Sequence, residues 1–249
     1  GVCLAAGNES FKSNYTKSRI ESLIQKDTKY LIIGLAVISI VVVLMLLIFL
    51  ILLAIFSLIS FTLIKNKCLF VEKVNLTKLN FSKPENIVIL NVPCGNVVIE
   101  LFPSISPNSV ERFKKLVKNK EYDNVAFHRV VKNFLVQAGD LEFGRKENIN
   151  YTYIGSGRSK YDLIKPETDK PFEFKRGTVA FAKSKNGDAE DSEFLILLAD
   201  AFLFEGEYTP LGRVVNGISA LEKIKFNDQS EYVLRPDFIN SLKMFSDIN

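Results

Sequence analysis

The sequence predicts a mainly β fold, a closed antiparallel β-barrel capped by two helices and preceded by a single transmembrane helix, on three observations. One run, Leu31 to Ile64, is apolar without a single charge and exceeds the roughly 20 residues that a membrane span needs. Beyond residue 86 the chain breaks into short strand-like runs bounded by Gly, Pro, Asn and Asp. Between those runs lie two stretches with apolar residues at helical spacing.

In chain order, residues 1–30 are polar and aperiodic and read as an N-terminal tail or a short juxtamembrane helix. Residues 31–64 read as the span. As a helix this run measures about 51 Å against a hydrocarbon slab of about 30 Å, so it tilts and projects or lies only partly in lipid. A cleaved signal peptide is the competing reading, but its apolar part is about 7 to 15 residues long and nearer the start. Lys17, Arg19, Lys26 and Lys29 precede the run, and Lys65, Lys67, Lys73 and Lys78 follow it, so the positive-inside rule assigns no orientation. Residues 65–85 mix Lys, Asn, Ser and Thr with scattered apolar residues and end at "SKPEN", the composition of a linker.

Residues 86–249 carry the strands. "IVILNV" and "VVIELF", joined by the turn "PCGN", form a hairpin. A helix follows, capped by Ser106 or Asn108, with Val110, Phe113, Leu116 and Val117 on one face. "YDNVAFHRVV" and "NFLVQAGD" are two strands with "KN" at the turn, and residues 141–174 form an extended surface loop. "RGTVAFAKS", "SEFLILLA" and "TPLGRVVNG" are further strands, "GISALEKIKF" a second short helix and "PDFINSLKMF" a closing strand. Many short strands with two helices imply a barrel whose helices cap its ends.

Composition bounds the function. At 249 residues, with 47% hydrophobic and 24% charged side chains, the chain suffices for one core plus the apolar run. Residues 1–85 have a net charge of +5 (10 Lys and Arg against 5 Asp and Glu), which leaves −1 for the remainder of the overall +4. The basic excess flanks the apolar run, where anionic headgroups would meet it, and no nucleic-acid surface is expected. Cys3, Cys68 and Cys94 have no metal-like spacing and the chain holds one histidine, so no metal or cofactor is expected. The cysteines read as structural or incidental and leave the redox compartment open. Sequons at Asn8, Asn14, Asn75, Asn80 and Asn150 fall on both sides of the apolar run and assign no lumen. Opening on Gly1 rather than Met leaves room for a removed targeting peptide of unspecified kind. The expected location is a membrane, crossed once, with the mitochondrial inner membrane and the secretory pathway both compatible.

The runs "VVIELF", "YDNVAFHRVVKNFLVQAGD", "RGTVAFAKS", "SEFLI" and "LGRVVNGISALEKI" resemble, in order and near spacing, the signatures of the cyclophilin family of peptidyl-prolyl cis-trans isomerases. The resemblance covers about residues 86–245 and implies a cyclophilin-like barrel acting on proline-containing peptide segments. It gives Arg129 the catalytic role, with Gln137 holding the substrate backbone or orienting Arg129. It places Phe134, Leu135, Leu195 and Phe204 in the proline pocket, and Ala182 and Lys183 on the segment that pairs with bound peptide. Tyr208 stands at the rim where the family has histidine, and Leu203 where it has a bulky aromatic. Lys183 replaces the family's Asn and Glu193 its Gln. Their opposite charges suggest that they face each other and pair across the groove.

The chemistry agrees with that resemblance. X-Pro rotation is slowed by amide double-bond character, so a catalyst needs neither nucleophile nor metal. It needs an apolar recess for the ring and a donor for the prolyl nitrogen, whose lone pair is freed in the twisted amide. A guanidinium is such a donor, charged at every relevant pH. A ~10⁵-fold acceleration asks for about 7 kcal/mol of transition-state stabilisation, within reach of preorganised donors. His128 is therefore expected to be a structural hydrogen-bonding residue rather than a base. The expected role is a membrane-tethered isomerase assisting folding or assembly of membrane-proximal proteins. The alternative is a weakly active or inactive scaffold within a larger membrane complex, with the long loop as a docking surface.

Overall fold

The computed structural model describes residues 3–65, 67–183 and 189–248, with side chains described from Thr16 onward except at 64–65. The side chains of Cys3, Asn8, Asn14 and Ile64, and all of Ser184, lie outside the described residues. The chain divides into two compact units, 1–65 and 66–249.

The first unit is one helix, α1 (Cys3–Lys65), so the polar stretch expected as a tail continues the apolar one without a break. Within it, Thr16–Leu63 is long and apolar enough to cross a membrane by length and composition. Its apolar side chains are exposed on every face, Ile40 at 60% and Leu50 at 59% among them. A helix apolar all round has no stable place in water.

The second unit contains β1 (Ile87–Val92), β2 (Gly95–Leu101), α2 (Pro107–Lys118), β3 (Arg129–Val131), β4 (Leu135–Ala138), β5 (Thr178–Phe181), β6 (Phe194–Leu197), β7 (Pro210–Asn216), α3 (Ile218–Leu221) and β8 (Ser241–Met244). All eight strands join one antiparallel sheet in the order β3-β4-β6-β5-β7-β2-β1-β8. In place of the expected closed barrel this is a curled sheet whose end strands, β3 and β8, are not paired with each other. Both are short, and the chain beside them bridges the gap instead: Asn124 N–H donates to Ile239 O (2.8 Å), Phe127 N–H to Asp237 O (2.9 Å) and Ile239 N–H to Val125 O (2.9 Å).

Strand alternation divides the sheet into two faces. Val130, Val136, Val179, Phe181, Phe194 and Ile196 point into the main core. There α2 lays down Val110, Phe113, Leu116 and Val117, as its spacing predicts. Phe113, Tyr122 and Phe194 meet with ring centroids 5.2 to 5.4 Å apart. Leu135, Ala180, Leu195 and Leu197 point the other way, into a smaller apolar cluster.

Three expectations need correction. Ser106 occupies the N-cap of α2 but makes no cap bond; its hydroxyl donates to Pro210 O. The Glu167 carboxylate caps instead, accepting from Asn108 N–H (3.3 Å) and Ser109 N–H (2.9 Å), a match to the positive helix end. The second helix is only four residues long. Its apolar residues Ile218, Leu221 and Ile224 recur every third position, and the bonds that follow are of the tighter kind, Lys223 N–H to Ala220 O and Ile224 N–H to Leu221 O. The closing strand is confined to Ser241–Met244.

The linker is tied down. Cys68 and Cys94, 26 residues apart, form a disulfide joining it to the β1–β2 turn. Val71 is buried, and Val74, Leu76, Leu79 and Phe81 pack on Ile87, Ile89, Val98 and Phe245. Reducing the bond, or the substitution Cys94→Ser, is expected to lower stability by about 3 kcal/mol, the chain-entropy value for a loop of this length. Urea midpoints with and without reductant measure it; coincident curves would show that the bond constrains nothing.

Candidate active site

The β3–β4 hairpin aligns Arg129 opposite Gln137, which answers why polar residues eight apart sit in apolar strands. Paired positions project to the same face, here the one turned away from the main core. The Arg129 guanidinium donates from Nη1 to Gln137 Oε1 (3.1 Å) and from Nε to Glu231 Oε2 (2.7 Å). Gln137 Nε2 in turn donates to Glu193 Oε2 (2.7 Å), since β4 pairs with β6 and Gln137 faces Leu195. Both ends of the glutamine amide are thereby assigned, and Nη2 of Arg129 has no protein acceptor among the described residues.

Arg129, Gln137 and Glu193 line a cavity of about 610 Å³. Of the predicted site residues, Arg129, Gln137, Ala182, Lys183, Glu193, Leu195 and Tyr208 border it. Phe134, Leu135 and Phe204 lie in the apolar cluster to which Leu195 and Tyr208 also belong. Phe204 stacks on Tyr208 (4.2 Å) and meets Phe134 edge-on (6.0 Å). Leu195 and Tyr208 thus bring an edge of that cluster to the cavity, whose wall is otherwise largely polar and includes the guanidinium. Leu203 is not brought in: it is 90% exposed on the turn before Phe204.

Lys183 and Glu193 do not pair. Lys183 Nζ binds Glu207 Oε2 (2.6 Å) and lies 5.4 Å from the centre of the Tyr208 ring, whereas Glu193 is held by Gln137. Strand register turns Glu193 toward Gln137, leaving the lysine to a carboxylate beside the rim. The hydrogen-bonding role expected of His128 is met only in part. The ring is buried, and its Nε2 lies 3.3 Å from Glu193 Oε2, but among the described residues neither ring nitrogen has an aligned hydrogen-bond partner. Its contacts are that carboxylate and the ring of Tyr232, stacked at 6.5 Å.

Several wall residues were not foreseen: Gly155, Ser156, Gly157, Arg158 and Leu163 from the long loop, and Tyr232. The stretch expected as an extended surface loop is anchored by buried Asp140. Its Oδ1 accepts from Glu142 N–H (3.1 Å) and Phe143 N–H (2.7 Å), and its Oδ2 from Gly155 N–H (2.7 Å) and Gly157 N–H (3.1 Å). A Cβ at Gly157 would lie 2.1 Å from Asp140 Oδ1, so only glycine lets the backbone come this close. The signal in the sequence was "GD" followed by "GSG", which marks a turn without naming its partner.

Behind the wall, Glu190 is buried against α2. Its Oε2 accepts from Ser109 Oγ (3.3 Å), while Oε1 has no aligned partner among the described residues. Burial, outweighing the hydroxyls of Thr209 and Ser109, pushes its carboxyl up to about 7. The folded state therefore holds a proton that the unfolded state has released once pH passes 4.5. The contribution of Glu190 to stability is expected to be greatest below that pH and to fall by roughly 3 kcal/mol as pH rises to about 7, then level off. Subtracting the urea-midpoint profile of Glu190→Gln isolates this fall; parallel profiles would refute it.

Comparison with known proteins agrees with this geometry. Residues 87–244 match the family model described as cyclophilin type peptidyl-prolyl cis-trans isomerase/CLD. A probable peptidyl-prolyl cis-trans isomerase of Brucella suis is 40% identical over 159 residues, 63% of this chain and 81% of the relative. A peptidyl-prolyl cis-trans isomerase of Acinetobacter baylyi is 32% identical over 151 residues, 59% of this chain and 75% of the relative. Among solved structures, a cyclophilin type isomerase of Cryptosporidium parvum, crystallised in the presence of the dipeptide Ala-Pro, has a TM-score of 0.54 at 24% identity, covering 64% of this chain and 98% of that one. A cyclophilin of Hirschia baltica has a TM-score of 0.56 at 20% identity, covering 67% of this chain and 76% of that one. The chain belongs to the family of cyclophilin-type peptidyl-prolyl cis-trans isomerases.

Proposed function

We propose that the chain catalyses cis-trans isomerisation of X-Pro bonds in peptide segments close to a membrane, to which α1 tethers it. The observation that carries the catalytic reading is the Arg129 guanidinium, oriented by Gln137 at the edge of a recess floored by Leu195 and Tyr208. The proline ring lies on that floor, with Phe134, Leu135 and Phe204 behind it, and substrate backbone runs along Ala182 and Lys183. As the amide twists, the prolyl nitrogen gains a lone pair and accepts from Nη2, which has no acceptor among the described residues. The donor is in place before reaction, so the transition state gains the charge-assisted bond without reorganisation. A planar ground-state amide has no such lone pair, so the bond favours the barrier top over the bound substrate.

The all-round apolar surface of Thr16–Leu63 supports the tether. The Cys68–Cys94 disulfide supports placing residues 66–249 on an oxidising side of that membrane. The test is an exchange assay on an Ala-Pro peptide with the full chain in detergent, alongside alkaline extraction of membranes that contain it. Catalysis at substoichiometric protein and retention in the membrane pellet are expected. Uncatalysed exchange removes the enzyme reading, and release into the supernatant removes the tether.

A further inference from the structure

We infer that Glu231 is a positioning residue for Arg129: it fixes the plane of the guanidinium so that Nη2 is presented to the cavity. The inference rests on the reading of Arg129 as the group that meets substrate.

Residues 231–233 run antiparallel along the edge of β3, joined to it by a single bridge. Val130 N–H donates to Glu231 O (2.8 Å), Val233 N–H donates to His128 O (2.9 Å), and Arg129 pairs with Tyr232 in an isolated bridge. Tyr232 holds the segment in place, with its ring against His128 and its Cε1 3.3 Å from where a Cβ on Gly155 would stand. The backbone therefore sets Glu231 within reach of Arg129 independently of the ion pair.

The two acceptors grip different parts of the guanidinium, Glu231 at Nε and Gln137 at Nη1. With one acceptor the group still swivels about that single bond, and a long side chain recovers its rotamer freedom. With two, the plane is defined, and among the described residues both N–H groups of Nη2 stay free for substrate. The opposing effect is electrostatic, because a carboxylate beside the guanidinium weakens its field at the prolyl nitrogen. Glu231 is 54% exposed, so water screens much of that effect, whereas orientation is not screened. The two effects have opposite signs in the rate, which makes the inference testable.

In the full chain, Glu231→Ala is expected to lower kcat about 10-fold with KM within about twofold. Glu231→Gln, which keeps an acceptor for Nε, is expected to recover most of the loss, and the pair Arg129→Ala with Glu231→Ala to be no slower than Arg129→Ala alone. With arginine side chains labelled in ¹⁵N, the Nε–H resonance of Arg129 is expected to be shifted and protected from exchange in the wild type and to lose both features in Glu231→Ala. An unchanged or raised kcat in Glu231→Ala overturns the inference, as does a double variant that loses the product of the two single effects. Should Arg129→Ala match the wild type in rate, the reading of Arg129 as the group that meets substrate fails. The Nε–H resonance still decides whether Glu231 holds the guanidinium, and an Nε–H signal indifferent to Glu231→Ala overturns that separately.

Discussion

Arg129→Ala is expected to lower kcat/KM for an X-Pro peptide by roughly 10²- to 10³-fold, the usual effect of removing one preorganised donor from a transition state. The loss falls on kcat, because the bond to the prolyl nitrogen exists only in the twisted amide. Arg129 is 28% exposed and belongs to neither apolar cluster, so its truncation is expected to leave the thermal midpoint nearly unchanged. Arg129→Lys is expected to recover little. An ammonium keeps the charge but lacks the fork that binds Glu231 and Gln137 while leaving a donor free. Exchange spectroscopy on Ala-Pro peptides measures all three proteins, and a variant that retains wild-type kcat would remove Arg129 from the mechanism.

Asp140→Ala is expected to be the most destabilising single change at the site, by about 3 to 5 kcal/mol. It orphans four backbone N–H groups at once, those of Glu142, Phe143, Gly155 and Gly157. Asp140→Asn preserves the shape but turns an NH₂ toward two of those donors, so a loss of similar sign is expected. Gly157→Ala attacks the same contact from the other side, through a Cβ directed onto the carboxylate. Because Gly155, Ser156 and Gly157 border the cavity, these variants are also expected to raise KM. Urea unfolding reads the first effect, peptide-exchange kinetics read the second, and hydrogen exchange at the Gly155 and Gly157 amides reads the loss of the anchor itself. A midpoint shift below about 1 kcal/mol for Asp140→Ala would show that the loop is held by something else.

What the sequence made legible is what acts over short range. Period-2 alternation and the FHRV and RGTVAFA runs located β3, β4 and β5, and helical spacing located the buried face of α2. The register of a tight hairpin turned Arg129 and Gln137 into a pair. The remainder depends on partners distant in the chain. The carboxylate capping α2 comes from Glu167, and Glu231 reaches Arg129 across 102 positions. Lys183 and Glu193 looked like a pair because their charges are opposite, yet nothing in their order shows that Glu207 and Gln137 lie closer to them. Cys68 and Cys94 have unremarkable spacing and meet only because the β1–β2 turn folds back on the linker. The loop at 141–174 looked free because what holds it, the buried Asp140, the Asp191 carboxylate and the Ile164–Glu190 bridge among others, comes from outside the loop and has no period.

Catalysis turns on the Arg129 guanidinium meeting the prolyl nitrogen at the edge of the recess. The most direct test is a structure of the full chain bound to a short proline-containing peptide. The account requires the proline ring to rest on Leu195, Phe204 and Tyr208, with the Arg129 guanidinium within hydrogen-bonding distance of the prolyl nitrogen and its bond to Gln137 intact. A peptide bound elsewhere, or one in the recess with Arg129 turned away from that nitrogen, would contradict it.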